Sequence, residues 1–169
     1  HNFTDILPSS KDPRQASKID SKYLEIAIDK AEYLYDVVLI DTNHNLNELN
    51  LVILDAVTTI LFVMNNDPMD LKNMKSLLSI FRDLTKTNYK ILLNNSRDPF
   101  KKYFTTFDIK SILKENIDYE ITSEFYIKNI DAYVMNGSII TLDPKSANVF
   151  NKDYTTFMKI AVDMLGKEK

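Results

Sequence analysis

The run Tyr35-Asp36-Val37-Val38-Leu39-Ile40-Asp41-Thr42 constrains this chain more than any other stretch. Its aliphatic, β-branched centre does not alternate with polar residues, so a strand built from it needs cover on both faces, as in a parallel sheet sandwiched by helices. The run ends in a carboxylate, Asp41, and turns polar through Thr42-Asn43-His44-Asn45. In open parallel sheets ligands bind outside the carboxyl ends of the strands, which makes Asp41 a candidate metal- or phosphate-site residue. The plainer alternative is that Asp41 caps the following helix.

Short apolar runs alternate with helical patterns along the rest of the chain. Phe3–Leu7 predicts a short strand, closed by a loop over residues 8–13 rich in turn formers. Ile19, Tyr23, Ile26, Ala27 and Leu34 predict one helical face, with Ser17 or Ser21 near its start. A helix over Asn47–Val57, burying Leu51, Leu54 and Val57 or their neighbours, leads to a buried strand over Thr58–Met64. Asp67-Pro68 is a strong helix start, because the carboxylate accepts from free N–H groups and Pro suits the first helical position. Met74, Leu77, Leu78 and Phe81 continue that helix on one face.

Tyr89–Leu93 predicts the next strand, ending in Asn94-Asn95. Beyond it come a loop with Arg97, Lys101 and Lys102, a helix over Phe107–Glu115, and a strand over Tyr119–Thr122. Ser123 opens a helix running to about Met135, which Asn136-Gly137 stops, and Ile139–Leu142 predicts an edge strand. The last helix carries Phe150, Tyr154, Phe157, Met158, Ala161, Met164 and Leu165 on one stripe. Strands separated by helices of this length predict one α/β domain over residues 1–169, a three-layer α/β/α arrangement with a mostly parallel sheet.

Composition narrows the chemistry. The chain has 169 residues, 44% of them hydrophobic, enough for one core. A formal charge of −3 supplies no electrostatic footprint for nucleic acid or anionic membrane, and the three cations between residues 97 and 102 read as a solvated loop. Cysteine is absent and the histidines are His1 and His44, which excludes thiolate and histidine-rich metal centres. His44 has no assignable carboxylate partner and reads as a loop residue rather than a general base. No apolar run reaches the roughly 18 residues a membrane span needs and no signal-peptide start is present, so the expected location is the cytoplasm. Glycine occurs at Gly137 and Gly166 alone, so a glycine-rich phosphate loop followed by Lys and Ser or Thr is missing from these residues.

The order of these motifs resembles the C-terminal two-thirds of the ParA/MinD superfamily of P-loop ATPases, most closely its CpaE/TadZ-like and related AAA-type members. In that family a strand of the form Tyr-Asp, four aliphatic residues, Asp-Thr is the Walker B strand; here it is Tyr35–Thr42. Leu54-Asp55-Ala56-Val57 through Val63, the capped helix from Asp67, the strand Ile91-Leu92-Leu93-Asn94, the segment Ile127–Gly137 and the terminal helix with Tyr154 follow in the family's order. The opening residues 5–13 also resemble the strand and loop that come before the Walker B helix.

The resemblance implies P-loop NTPase-like, Rossmann-type layering and a site divided among named residues. Asp41 would be the Walker B acid and would hold Mg²⁺ through a water, as suits a hard cation that keeps its hydration. Asn94 would meet the adenine edge, where an amide supplies both donor and acceptor. Thr42 would begin the switch region that reports the γ-phosphate. ATP and Mg²⁺ are the implied cofactors of the parent protein, while the chain alone is expected to hold them only if a Walker A loop precedes residue 1; hydrolysis carries the same condition. The implied partners are a second copy across the nucleotide face and the proteins of a secretion, pilus, conjugation or partition machine.

The departures from the family pattern are specific. Asn43-His44 replaces the prolines that commonly follow Asp-Thr, and Thr122 replaces a proline after Ile121. The family's P-loop strand is central, so a sheet without it should show a gap. The alternative function is a degenerate, non-catalytic homologue acting as a scaffold or oligomerisation module. A receiver-like phosphoacceptor reading of Asp41 is disfavoured, because Lys90 stands at the start of its strand instead of ending it.

Overall fold

The computed structural model describes residues 4–16, 18–43, 46–82, 88–96, 103–125, 130–144 and 151–165. Backbone packing divides the chain into two compact units, residues 1–58 and 59–169.

The first unit contains α1 (Pro13–Ala16), α2 (Ser21–Leu34) and α3 (Glu48–Ala56). Asp20 caps α2 by accepting from the Lys22 N–H at 2.9 Å, and Asn47 caps α3 by accepting from the Asn50 N–H at 2.9 Å. Helix α2 stands where its periodicity predicts, but it buries a different face. Ile28 is buried, with Leu24, Ala27 and Ala31 half-buried, while Tyr23 and Leu34 of the predicted stripe are exposed. Apolar residues surround this helix. The face that is covered carries aliphatic and small side chains, leaving the tyrosine hydroxyls of Tyr23 and Tyr33 to water.

The predicted strand over Tyr35–Thr42 is not formed. Residues 35–43 join no β-ladder among the described residues, and Leu39 is 89% exposed. A β-branched run favours extended backbone, but a strand also requires a neighbour that takes its N–H and C=O groups. The Tyr35 hydroxyl instead donates to Asp5 Oδ2 at 2.8 Å, and that bond to a carboxylate raises the phenol's pKa. The strand predicted over Phe3–Leu7 is likewise absent from its described residues 4–7, where Ile6 and Leu7 are exposed.

The second unit holds a three-stranded parallel sheet in the order β1 (Ile60–Asn65), β2 (Tyr89–Asn94), β3 (Tyr119–Ile121). Register runs Ile60 to Tyr89 through Asn65 to Asn94, and Leu92 to Tyr119 through Asn94 to Ile121. Helix α4 (Pro68–Arg82) crosses from β1 to β2, and α5 (Thr106–Leu113) crosses from β2 to β3. As the sequence predicts, Asp67 opens α4, its Oδ1 accepting from the N–H groups of Met69 and Asp70 at 2.9 and 3.0 Å. Thr105 and Asp108 form a reciprocal capping box on α5, and those hydrogen bonds hold the Asp108 carboxyl below its usual pKa.

Each sheet face has its own core. Met64, Ile91 and Leu93 pack with Leu71, Met74 and Leu78 of α4 and with Ile109 and Leu113 of α5. Phe62, Phe81 and Tyr89 extend this layer as an aromatic cluster, with Phe62 and Phe81 edge-to-face at 5.2 Å between centroids. On the opposite face Leu92, Tyr119 and Ile121 pack with Phe125 and with Phe157, Ile160 and Met164 of the terminal helix, which we number α7 (Asn151–Leu165). Helices on both faces of a parallel sheet realise the three-layer class. The register 157, 160, 164 is the inner face of α7, whereas Met158 of the predicted stripe is 63% exposed.

Between β3 and α7 the chain forms a short 3₁₀ turn at Ser123–Phe125 and α6 (Ile130–Met135). Gly137 ends α6 with φ of 64°, its N–H bonding to Val134 O at 3.1 Å and the Ser138 N–H to Tyr133 O at 2.9 Å. This is the paired bonding of a Schellman stop, which needs a left-handed residue at that position. The edge strand predicted over Ile139–Leu142 is a 3₁₀ turn at Ile140–Leu142, whose carbonyls at 140 and 141 accept from the Tyr154 hydroxyl.

Candidate functional site

In a parallel sheet the carboxyl ends of all strands lie along one edge, and here that edge is built from amides. The end of β1 carries Asn65 and Asn66, and the end of β2 carries Asn94, Asn95 and Ser96. Asn65 is tied to α4 twice, its N–H and Nδ2 donating to Asp70 Oδ2 at 2.9 and 2.8 Å. Asn66 holds the start of the α5 segment through both ends of its amide, donating to Phe104 O at 2.9 Å and accepting from the Phe104 N–H at 3.1 Å.

Asn94, the predicted adenine contact, is half-buried at the last position of β2. Its Oδ1 accepts from the Ser96 N–H at 3.0 Å and from Ser96 Oγ at 2.6 Å. The acceptor side of this amide is thus engaged in the turn, and its Nδ2–H groups are what it can present to a ligand.

Asn95 follows directly at the strand end. Its N–H donates to Ile121 O at 2.9 Å, so the β2–β3 pairing runs one residue further than the strand itself. Its side chain is 7% exposed, with Nδ2 donating to Glu120 Oε1 at 2.7 Å and Oδ1 buried without a hydrogen-bond partner among the described residues. The carboxylate of Glu120 fixes the amide in this orientation, because a flipped amide would set two acceptors against each other. The sequence signal was the second of two asparagines after an apolar strand.

At the end of β3, Thr122 donates from its N–H to Asp153 Oδ1 at 2.7 Å and from its hydroxyl to Oδ2 at 2.9 Å. Asp153 is 1% exposed on the inner face of α7. The residue that departs from the proline of the resembled pattern is therefore the one whose N–H is used. Asp153 stands four positions before Phe157, an acid on an otherwise apolar face, and that placement was its sequence signal.

Tyr119, also buried, donates its hydroxyl to Asp163 Oδ2 at 2.8 Å, with Lys159 Nζ 5.4 Å from its ring centroid. Burial first, then the hydrogen bond to Asp163 and the charges of Asp163 and Asp118, push its pKa up to about 12.

Asp41 and Thr42 are exposed residues of the first unit, in the unpaired segment that precedes α3. Asn94 belongs to the second unit. Among the described residues no group of three or more His, Cys, Asp or Glu side chains could hold a metal directly. A lone exposed carboxylate next to a hydroxyl fits a cation held through its own water, not a caged one. Arg97, Lys101, Lys102 and His44 lie outside the described residues.

The sequence matches no family model and no curated protein. Among solved structures, a ParA family ATPase from Chlorobium tepidum TLS superposes with a TM-score of 0.72 at 16% identity, over 92% of this chain and 62% of its own. The MinD cell division protein of Aquifex aeolicus gives 0.64 at 19% identity, over 90% of this chain and 70% of its own. A chain of the MinC:MinD cell division protein complex of the same organism gives 0.65 at 18% identity, over 83% of this chain and 60% of its own. The chain thus spans somewhat under two-thirds of the ParA chain it superposes on. At these identities what is shared is backbone architecture: the chain has the α/β fold of the ParA and MinD ATPases.

Proposed function

We propose that this chain is part of a nucleotide-switch ATPase of the ParA/MinD kind, in which bound ATP governs association with a second copy and with the machine it positions. The observation that carries the reading is the backbone likeness over 92% of the chain. The polar carboxyl edge of the sheet, with Asn65, Asn66, Asn94 and Asn95, supports it, because that edge is where a ligand enters such a fold.

In this reading Asp41 holds Mg²⁺ through water, Thr42 begins the switch, and Asn94 offers its amide donors to the base. Bound Mg²⁺ would neutralise charge on the β- and γ-phosphates. The loop that cradles those phosphates would come from residues outside 1–169, since Gly137 and Gly166 are the only glycines within them. Partners of the secretion, pilus, conjugation or partition type would read the dimer, and the order of motifs resembles the CpaE/TadZ-like branch.

Titration calorimetry of the full-length gene product with Mg²⁺-ATP tests the reading. Binding that weakens at least tenfold in Asp41→Ala is the expected result. Binding unchanged by that substitution removes Asp41 from the site, and no binding by the wild type leaves the non-catalytic scaffold as the better account.

A further inference from the structure

The loop that carries Asp41 and Thr42 has neither proline nor glycine to set its path, and a side chain of α3 reaches back to hold it. Asn50, third residue of α3 and 8% exposed, donates from Nδ2 to Asn43 Oδ1 at 2.7 Å and to Asn43 O at 3.2 Å. Its own backbone N–H is held by the cap residue Asn47 at 2.9 Å. In a capping box the third residue reaches back as an acceptor to the cap's N–H. Asn50 reaches back as a donor, past the cap, to the residue that follows Asp41-Thr42. The helix it stands on is in turn fixed to α2, where Ser21 Oγ donates to Glu48 Oε1 at 2.9 Å.

We propose that Asn50 is a positioning residue: its amide clamps Asn43 and so sets where the Asp41–Thr42 segment stands relative to α3, making the clamp the element through which occupancy at Asp41 is transmitted to that helix. The role in transmission rests on the nucleotide-switch reading, whereas the clamp itself does not. A donor is essential to it, since both atoms it meets are oxygens, and a carboxylate in its place would repel them.

Asn50→Asp separates this from a merely structural role. An acid at the third helical position suits both the helix dipole and the capping box, so α3 should persist, while the ionised side chain cannot donate to Asn43. Protonation would restore one donor. In NMR spectra of the full-length protein, the backbone amide signals of Thr42 and Asn43 should move away from their wild-type positions in the variant at neutral pH, because the loop loses its hold on α3. They should return towards the wild-type positions as the pH is lowered through the carboxyl range, read as the difference between variant and wild type at each pH. Affinity for Mg²⁺-ATP should fall in parallel, with circular dichroism showing α3 retained.

Loop signals unchanged by the substitution overturn the clamp. Loop signals displaced with ATP affinity unchanged overturn its role in transmission. A wild-type protein that does not bind ATP overturns the nucleotide reading and the transmission with it, while the loop signals still decide the clamp. Should Asn50→Asp fail to fold, Asn43→Ala, which deletes the Oδ1 acceptor on the exposed side, reads the same displacement at Thr42.

Discussion

Replacing Asp153 by alanine removes both acceptors of the Thr122 N–H and hydroxyl at once. A hydrogen bond to a charged group contributes about 1.5–3 kcal/mol, so the two together set a ceiling of about 3–6 kcal/mol. Two effects reduce it. The variant no longer keeps a carboxylate out of water, and Thr122, being half-buried, can regain some hydration for its donors. We expect a net loss of about 2–4 kcal/mol, a large share of the roughly 5–15 kcal/mol that holds a typical domain together. Asp153→Asn keeps one oxygen for the Thr122 N–H, and its amide can donate to the hydroxyl, which rotates to accept; that change should cost about 1 kcal/mol. Thr122→Pro deletes the backbone donor and the hydroxyl together and leaves both oxygens of the buried carboxylate unmatched, so it should be worse than Thr122→Ala, which keeps the N–H. Urea denaturation followed by circular dichroism measures all four variants. A loss under about 1 kcal/mol in Asp153→Ala, or equal losses in the alanine and asparagine variants, would refute a structural role for this carboxylate.

Two further outcomes follow from the same unit. Tyr119 has a pKa raised from the usual 10.0 to about 12 in the folded chain, so its stabilising contribution is complete below pH 10 and is lost as pH rises from there to about 12. Tyr119→Phe should flatten that alkaline decline in thermal melts recorded across the range; an unaltered decline would assign it to other groups. Gly137 has φ of 64°, and a Cβ added there meets nothing within 4 Å, so Gly137→Ala should cost only the backbone strain, about 1 kcal/mol, in the same denaturation assay.

The sequence marked out the elements that carry their own punctuation. Asp67-Pro68 places the start of α4, and Asn136-Gly137 the end of α6, because capping and left-handed turns depend on residues within a few positions. The parallel strands at Tyr89 and Tyr119 and the three-layer class were legible for a related reason: their apolar runs are short and separated by helices. Features that depend on what lies alongside were misread. Tyr35–Thr42 has every local preference of a strand and forms none, since a ladder is a property of two segments. Ile139–Leu142 fails likewise. Helical faces were misjudged where apolar residues encircle the helix, at α2 and partly at α7, because periodicity then permits more than one stripe. Of the candidate site, Asn94 stands at the predicted strand end, but the engagement of its oxygen by Ser96 and the bond from its neighbour Asn95 to Glu120 depend on turn and cross-strand geometry. The Asn43–Asn50 and Thr122–Asp153 pairs were invisible for the same reason. Each joins polar residues whose meeting is decided by packing.

The strands of this sheet lie side by side in the order in which they are made, and that has a consequence for synthesis on the ribosome. Each parallel pairing waits only for one intervening helix, so β1, α4 and β2 can associate while the rest of the chain is still being translated, and β3 can add to an existing edge. The last polar group at the end of β3 is different. Its partner, Asp153, arrives with the final described helix, so the growing sheet remains unlatched at Thr122 until translation has passed α7. A nascent chain arrested just before residue 153 would therefore carry a paired sheet with one face uncovered, the state most in need of a chaperone.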